Sequence, residues 1–259
     1  MHKILAQIIE AKKTRLKVLR DNRDSFLSLA KKAPVVRDFK QAITREGKLS
    51  LIGEIKKASP SAGVIRADFN PVEIANIYQK CKVNAISVIT EEDFFKGKLS
   101  YINDIKKAVN IPILRKDFII DEDQLLESRA AGADAVLLIM AALDQAKFER
   151  FYNYTRELGM RALVEVHTEK ELRRALNVGV EIIGINNRNL STFDVNVNLT
   201  HKMVPFIPLN VTKVSESGLE NLKDILLLKG LGVNAVLIGT AFMQALDIEA
   251  KVKELHIDA

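Results

Sequence analysis

Several short apolar runs in this 259-residue chain end in residues that can move protons or hold anions. One run closes with Glu54 and Lys56, another with Arg115-Lys116-Asp117, and a third with Glu165. Two more close with Asn186-Asn187-Arg188 and with Glu216-Ser217. Buried charges are costly unless paired, so Lys and Glu gathered from several strands point to tuned acid–base chemistry. Two loops near the C-terminus read Ser215-Glu216-Ser217-Gly218 and Leu237-Ile238-Gly239-Thr240. Small residues there let backbone amides approach an anion, and a helix start adds a favourable dipole. Phosphate is the anion this pattern suggests. Ser59 and Ser61 could add hydroxyl donors from across the same site. Phe94, Phe95 and Phe118 follow two other runs, where they either pack locally or wall an aromatic substrate.

The elements that must position these groups are legible from periodicity. Eight runs rich in apolar and β-branched residues occupy 51–55, 85–90, 111–116, 135–139, 162–166, 182–186, 211–216 and 235–239. Amphipathic stretches of helical length lie between them, among them 71–82, 122–131, 145–158 and 169–178. Strands apolar throughout belong to a parallel sheet covered on both faces. Gly132-Ala133 and Gly179-Val180 mark helix ends. Eight such units predict an α/β fold, a (β/α)8 TIM barrel, whose C-terminal strand ends converge on one mouth. An open doubly wound sheet would want a glycine-rich turn after the first strand, and Lys56-Lys57-Ala58-Ser59-Pro60-Ser61 is no such turn. Glu54 and Lys56 stand two apart, so they can point together into the mouth. Before the barrel, apolar spacing predicts one amphipathic helix over 1–29, broken near Ala33-Pro34, and a short one over 38–45. The chain thus divides into an N-terminal helical extension, 1–48, and a catalytic barrel, 49–259.

Composition narrows the function classes. A single cysteine, Cys81, excludes a disulfide framework and a Cys-rich zinc site. Cys81 is expected to be packed in a helix rather than reactive. His2, His167, His201 and His256 lack paired ligand spacing, so no metal is expected, and His167 reads as a loop residue near the mouth. The longest strongly apolar run, Ala135–Leu143, is far shorter than the roughly twenty residues a membrane helix needs. The net charge is +6, but residues 1–50 hold thirteen Lys or Arg against five Asp or Glu. The remainder is slightly acidic. This extension is expected to pack over the mouth and bias it toward an anionic substrate, with nucleic acid and membrane excluded as partners.

The sequence resembles the indole-3-glycerol-phosphate synthase family of tryptophan biosynthesis. The matching segments are 54–61 (EIKKASPS), 94–97 (FFKG), 114–118 (LRKDF), 132–134 (GAD), 163–166 (LVEV), 184–188 (GINNR), 215–218 (SESG) and 237–239 (LIG). They run in family order through nearly all of residues 50–245. The resemblance implies a cofactor-free ring closure of 1-(2-carboxyphenylamino)-1-deoxyribulose 5-phosphate to indole-3-glycerol phosphate, carbon dioxide and water. It implies Lys116 as principal general acid and Glu165 as principal base. Lys56 falls where the family contacts the substrate carboxylate, with Glu54 as its paired carboxylate. Asn186, Arg188, Glu216 and Ser217 match active-site positions, and Ser59, Gly218, Gly239 and Thr240 match phosphate-binding ones. Phe95 and Phe118 fall where the family presents aromatics to the anthranilate ring. A monomer in the cytoplasm is the accompanying expectation.

Two departures touch loops only. Asn84 stands where the family usually has glycine, and is expected to keep the turn in a left-handed conformation. Lys98 follows Gly97 where a small residue is common. Two other readings compete with the synthase. Phosphoribosylanthranilate isomerase would need a cysteine and aspartate pair at the mouth, and Cys81 lies at the wrong end of a strand. A non-catalytic barrel binding RNA or another anionic partner through the basic N-terminus would bind in a salt-dependent way without turnover.

Overall fold

A computed structural model describes residues 3–189 and 194–258; His2 lies outside them. Two helices, α1 (Lys3–Asp21) and α2 (Arg23–Lys32), form the extension, followed by the short α3 (Phe39–Ile43). The single helix expected over this stretch is interrupted at Asn22, whose side-chain amide donates to the Val18 carbonyl (2.8 Å). An asparagine that bonds the preceding turn competes with helix continuation, which the apolar spacing alone does not reveal.

Eight strands build the barrel: β1 (Ser50–Ile55), β2 (Ala85–Ile89), β3 (Ile113–Lys116), β4 (Ala135–Ile139), β5 (Arg161–Val166), β6 (Ile182–Asn186), β7 (Thr212–Glu216) and β8 (Ala235–Ile238). All are parallel, each pairs with its neighbours in chain order, and β1 pairs with β8 to close the barrel. The connecting helices are α4 (Pro71–Lys80), α5 (Ser100–Ala108), α6 (Glu122–Ala130), α7 (Gln145–Glu157), α8 (Glu169–Leu176), α9 (Asn198–Met203) and α10 (Leu222–Gly230). The chain ends with α11 (Thr240–Gln244) and α12 (Ile248–Leu255). Helix starts are written locally: Asn70, Asp121, Asp144, Thr168, Asn221 and Asp247 each accept a hydrogen bond from an N–H of the first turn. Gly132 and Gly179 take positive φ at the turns after α6 and α8, as their spacing predicted.

Period-two alternation sorts every strand into two faces. Leu51, Ile86, Val136, Val164, Ile183 and Val236 point outward into the layer beneath the helices. Ile52, Leu114, Leu163, Ile182, Val214 and Leu237 point inward and pack on one another. Phe39 and Ile43 of α3 join this inner cluster with no exposure, plugging its lower end. The extension therefore belongs partly to the core, and removing residues 1–48 would open the barrel's interior.

The same inward rows end in the polar residues that opened the sequence argument. Ile52 leads to Glu54, Leu114 to Lys116, Leu163 to Glu165, and Val214 to Glu216. A hydrophobic floor therefore supports a layer of charge at the mouth.

Candidate active site

At that mouth a cavity of about 200 Å3 is lined by Glu54, Lys56, Lys116, Glu165, Asn186 and Arg188, with Ser59, Ser61, Phe95, Phe118, Ser217 and Thr240 around them. A smaller adjoining cavity is lined by Gly218, Leu219, Gly239, Thr240 and Ala241 beside Lys56 and Arg188. Of the fourteen positions that the resemblance assigns to the site, thirteen line these cavities, and Glu216 lines neither but reaches them through its bond to Lys116. Thr240 belongs to both cavities.

Lys116 occupies the centre. Its Nζ donates to Glu165 Oε2 (3.1 Å) and Glu216 Oε2 (3.0 Å). Burial alone would push the Lys116 pKa down, but Glu216, Glu165 and Glu54 outweigh it and hold the ammonium well above the usual lysine range. Glu54 and Lys56, two apart on one face, pair at 2.8 Å. Burial pushes Glu216 up, Lys116 pulls it back, and repulsion from Glu165 and Glu54 leaves it at about 7. Burial also opposes ionisation of Glu165, but Lys116, His167 and a hydrogen bond from Asn186 lower its pKa. Two chemically identical buried carboxyls are thereby driven apart, one ionised and one ready to carry a proton, the division expected of an acid–base site.

Close packing makes room for these side chains. A Cβ at position 184 would collide with Glu216 Oε1, and one at 239 with Glu54. Glycine at these two positions lets the carboxylates lie against neighbouring strands. On the opposite wall the Phe95 and Phe118 rings stand 6.2 Å apart, tilted by 37°. The loop carrying Phe95 is folded around Glu91, which accepts from the backbone N–H groups of Asp93, Phe94 and Phe95 at 3.1, 2.8 and 3.0 Å. Ser217 sits at φ 68°, and Asn187 steadies it by donating to its carbonyl (3.2 Å).

Not every polar strand end belongs to the mouth. Arg115 and Asp117 flank Lys116 and face the other way, into a buried network under α1. Arg115 donates to Asp117 (3.1 Å), Glu127 (2.7 Å) and Thr90 (3.1 Å), and Lys12 reaches Asp117 at 2.6 Å. Asp117 also touches the cavity wall, but its partners hold it at about 2 against the opposing effect of burial. Asp134, of the Gly-Ala-Asp segment, receives the backbone N–H groups of Arg37 (2.6 Å) and Ile113 (2.8 Å) and the Lys106 ammonium. It ties the extension to the barrel and lines neither mouth cavity.

Several of the extension's cations are likewise committed. Arg15 pairs with Glu92 and Asp93 (2.5 and 2.8 Å), Arg20 with Asp121 (3.1 Å), and Arg23 with Asp123. No described residue of the extension lines the mouth cavity. The expected bias toward an anionic substrate is therefore reduced to holding the rim, because rim carboxylates meet the charge. Asn84 is not left-handed; Lys82 takes that conformation (φ 58°), while the Asn84 side chain accepts from the Leu51 N–H (2.8 Å). Cys81 is buried where α4 ends, away from the mouth.

Sequence reasoning missed Glu91 as a loop organiser, although an acid three residues before Phe-Phe and six before Gly97 is a visible signal. It placed His167 correctly in the loop past β5 but undervalued it: the side chain is 10% exposed and stands beside Glu165 (Nε2 to Oε1, 3.4 Å).

A model of the family described as indole-3-glycerol phosphate synthase matches residues 5–255. The chain belongs to the indole-3-glycerol phosphate synthase family. A family member from Thermoanaerobacter pseudethanolicus is 51% identical over 222 residues, covering 86% of this chain and 85% of that protein. One from Caldanaerobacter subterraneus subsp. tengcongensis is 47% identical over 251 residues, covering 97% and 96%. Among solved structures, a 3-hexulose-6-phosphate synthase superposes with a TM-score of 0.65 at 18% identity, over 80% of this chain and 98% of its own. That likeness bears on the barrel fold alone.

Proposed function

We propose that this family member closes the indole ring of 1-(2-carboxyphenylamino)-1-deoxyribulose 5-phosphate, releasing carbon dioxide, water and indole-3-glycerol phosphate. The observation that carries the reading is Lys116, which lines the cavity with its side chain 16% exposed and is clamped between Glu165 and Glu216.

The reaction needs a polarised ketone. Lys116 donates its proton to the ketone oxygen as the carboxyl-bearing ring carbon attacks, so a carbon–carbon bond forms and the carbonyl becomes a hydroxyl. Carbon dioxide then leaves, and its bonding electrons return to the ring system. The hydroxyl departs as water after accepting a second proton from an ammonium of the mouth. Glu165 removes the remaining proton from the adjacent carbon, which forms the indole double bond. Such positioned proton transfers contribute typically about 10²–10⁴-fold each. Lys56 holds the substrate carboxylate while Glu54 orients it. Asn186 steadies Glu165, and Arg188 and Ser217 bind substrate. Phe95 and Phe118 flank the anthranilate ring. The phosphate lies by Ser59, Gly218, Gly239 and Thr240, where small residues leave backbone N–H groups accessible.

On this reading the extension 1–48 braces the rim of the barrel 49–259, and the protein works as a cytoplasmic monomer on a small anionic substrate. Among the described residues no helix is long and apolar enough to cross a membrane. Arg15, Arg20 and Arg23, each paired with a rim carboxylate, favour a bracing role over a nucleic-acid stripe or a membrane patch.

Indole absorbance followed after mixing the protein with the carboxyphenylamino substrate tests the reading. Absorbance should rise without added nucleotide or metal. A flat trace from folded protein would reject it.

A further inference from the structure

Lys116 does not choose between its two carboxylates, because Glu165 and Glu216 lie at 3.1 and 3.0 Å from the same Nζ. The asymmetry must come from elsewhere. Glu216 Oε1 is buried without a hydrogen-bond partner. Glu165 Oε1, by contrast, faces the His167 imidazole at 3.4 Å. On the far side of that ring, Nδ1 stands 3.7 Å from Glu171 Oε2. The same Glu171 oxygen accepts from the His167 backbone N–H (2.7 Å), so the loop that carries the ring is fixed to α8.

The His167 side chain is only 10% exposed, yet neither ring nitrogen makes a hydrogen bond of good geometry. Buried polar groups left this way call for a reason, and a poised electrostatic contact supplies one. The ionisable groups around the ring are Glu165 on its own strand, Glu171 on α8 and Glu216 on β7, with Lys116 of β3 beyond them. Of the nearby cations, Lys170 is exposed, and Arg174 is engaged with the Leu143 carbonyl and Gln145. Lys116 shares Glu165 and Glu216 with the ring, but Glu171 on the far side faces the imidazole and not Lys116, so three carboxyls against one ammonium favour the imidazolium.

We propose that His167 is a positioning residue that divides the work between the two glutamates: its imidazolium keeps Glu165 ionised as the base and leaves the site's mobile proton on Glu216. The inference rests on the functional reading above, in which Glu165 removes the last proton. Burial would lower the His167 pKa, but Glu171, Glu165 and Glu216 raise it. Glu165 is lowered in turn, and Glu216 rests at about 7.

The test is the pH profile of indole formation by the full chain and by His167→Gln. Losing the cation raises the Glu165 pKa, so the acidic limb of kcat should move up by about one unit, a loss that approaches tenfold only below about pH 4.5, the ordinary glutamate value that the parent group lies under. The two proteins should converge to within about twofold near pH 8.5, with KM unchanged, because Glu165 is then ionised in both. A structural role alone would lower the rate equally at every pH. A second measurement does not depend on this variant folding. In an NMR titration the His167 imidazole of Glu165→Gln should titrate about one unit lower than in the parent, since linkage is reciprocal. An unmoved limb in folded His167→Gln, or an imidazole indifferent to Glu165→Gln, overturns the proposal. Normal turnover by Glu165→Gln would instead overturn the reading on which it rests.

Discussion

Residues 115–117 contribute to two charged clusters back to back, and the clusters are built on opposite terms. Outside the barrel wall, Arg115 and Lys12 face Asp117 and Glu127, two cations to two carboxylates, each in direct contact. Inside it, Lys116 and Lys56 face Glu165, Glu216 and Glu54, two ammoniums to three carboxylates. A balanced, hydrogen-bonded network secures structure. A cluster with one carboxylate in excess must keep a proton or find another cation, and that surplus is what acid–base chemistry can use. Strand alternation alone assigns neighbouring residues to these different roles.

The sharpest way to break this contrast is at the mouth. Lys116→Ala should lower kcat by about 10²–10⁴-fold with the fold intact, measured by indole absorbance beside a circular-dichroism spectrum. Near-normal turnover would take the acid role from Lys116. Glu165→Gln should fall in a similar range, and a mild loss there would move the base to Glu54 or Glu216.

On the other side of the wall the expected effect is on stability. Lys12→Met leaves buried Asp117 short of one partner. It should cost about 3 kcal/mol, a fall in Tm on the order of 10 °C by calorimetry. An unchanged Tm would mean that Arg115 alone satisfies Asp117. Arg20→Ala, on a pair whose arginine is 63% exposed, should cost less than about 1 kcal/mol.

Proton linkage gives the two clusters opposite signatures. Glu216 has a raised pKa in the folded state, so its contribution is complete below the ordinary glutamate value of 4.5 and is lost as pH rises through about 7. Asp117 is lowered from 3.8, so its contribution is present above that value and is lost as pH falls toward about 2. Glu216→Gln should therefore flatten the stability profile on the neutral side, and Asp117→Asn on the acid side. Denaturant midpoints measured from pH 2 to 8 distinguish them, and identical profiles would erase the proposed difference.

Much of this was legible in the sequence because it depends on local order. Apolar runs bounded by turn residues place all eight strands, and the period of two carries Ile52 to Glu54 and Leu114 to Lys116. What escaped depends on contacts distant in the chain. Nothing local tells that Arg115 meets Lys12, that Phe39 plugs the barrel, or that the basic extension finds acids at positions 92, 93, 121 and 123. His167 is the loop residue that its place just past a strand suggests, but only the fold encloses its ring between Glu165 and Glu171. Asn84 misled because its residue type permits a left-handed turn, while the chain places that turn at Lys82 and uses the asparagine side chain instead.

The most direct test of the contrast is single-turnover indole formation by Lys116→Met and Lys12→Met, side by side at a temperature where both are folded. Lys116→Met should lose at least about a hundredfold, and Lys12→Met should remain within about tenfold of the parent. Equal losses, or a larger one in Lys12→Met, would contradict the division between a reactive mouth and a structural network behind it.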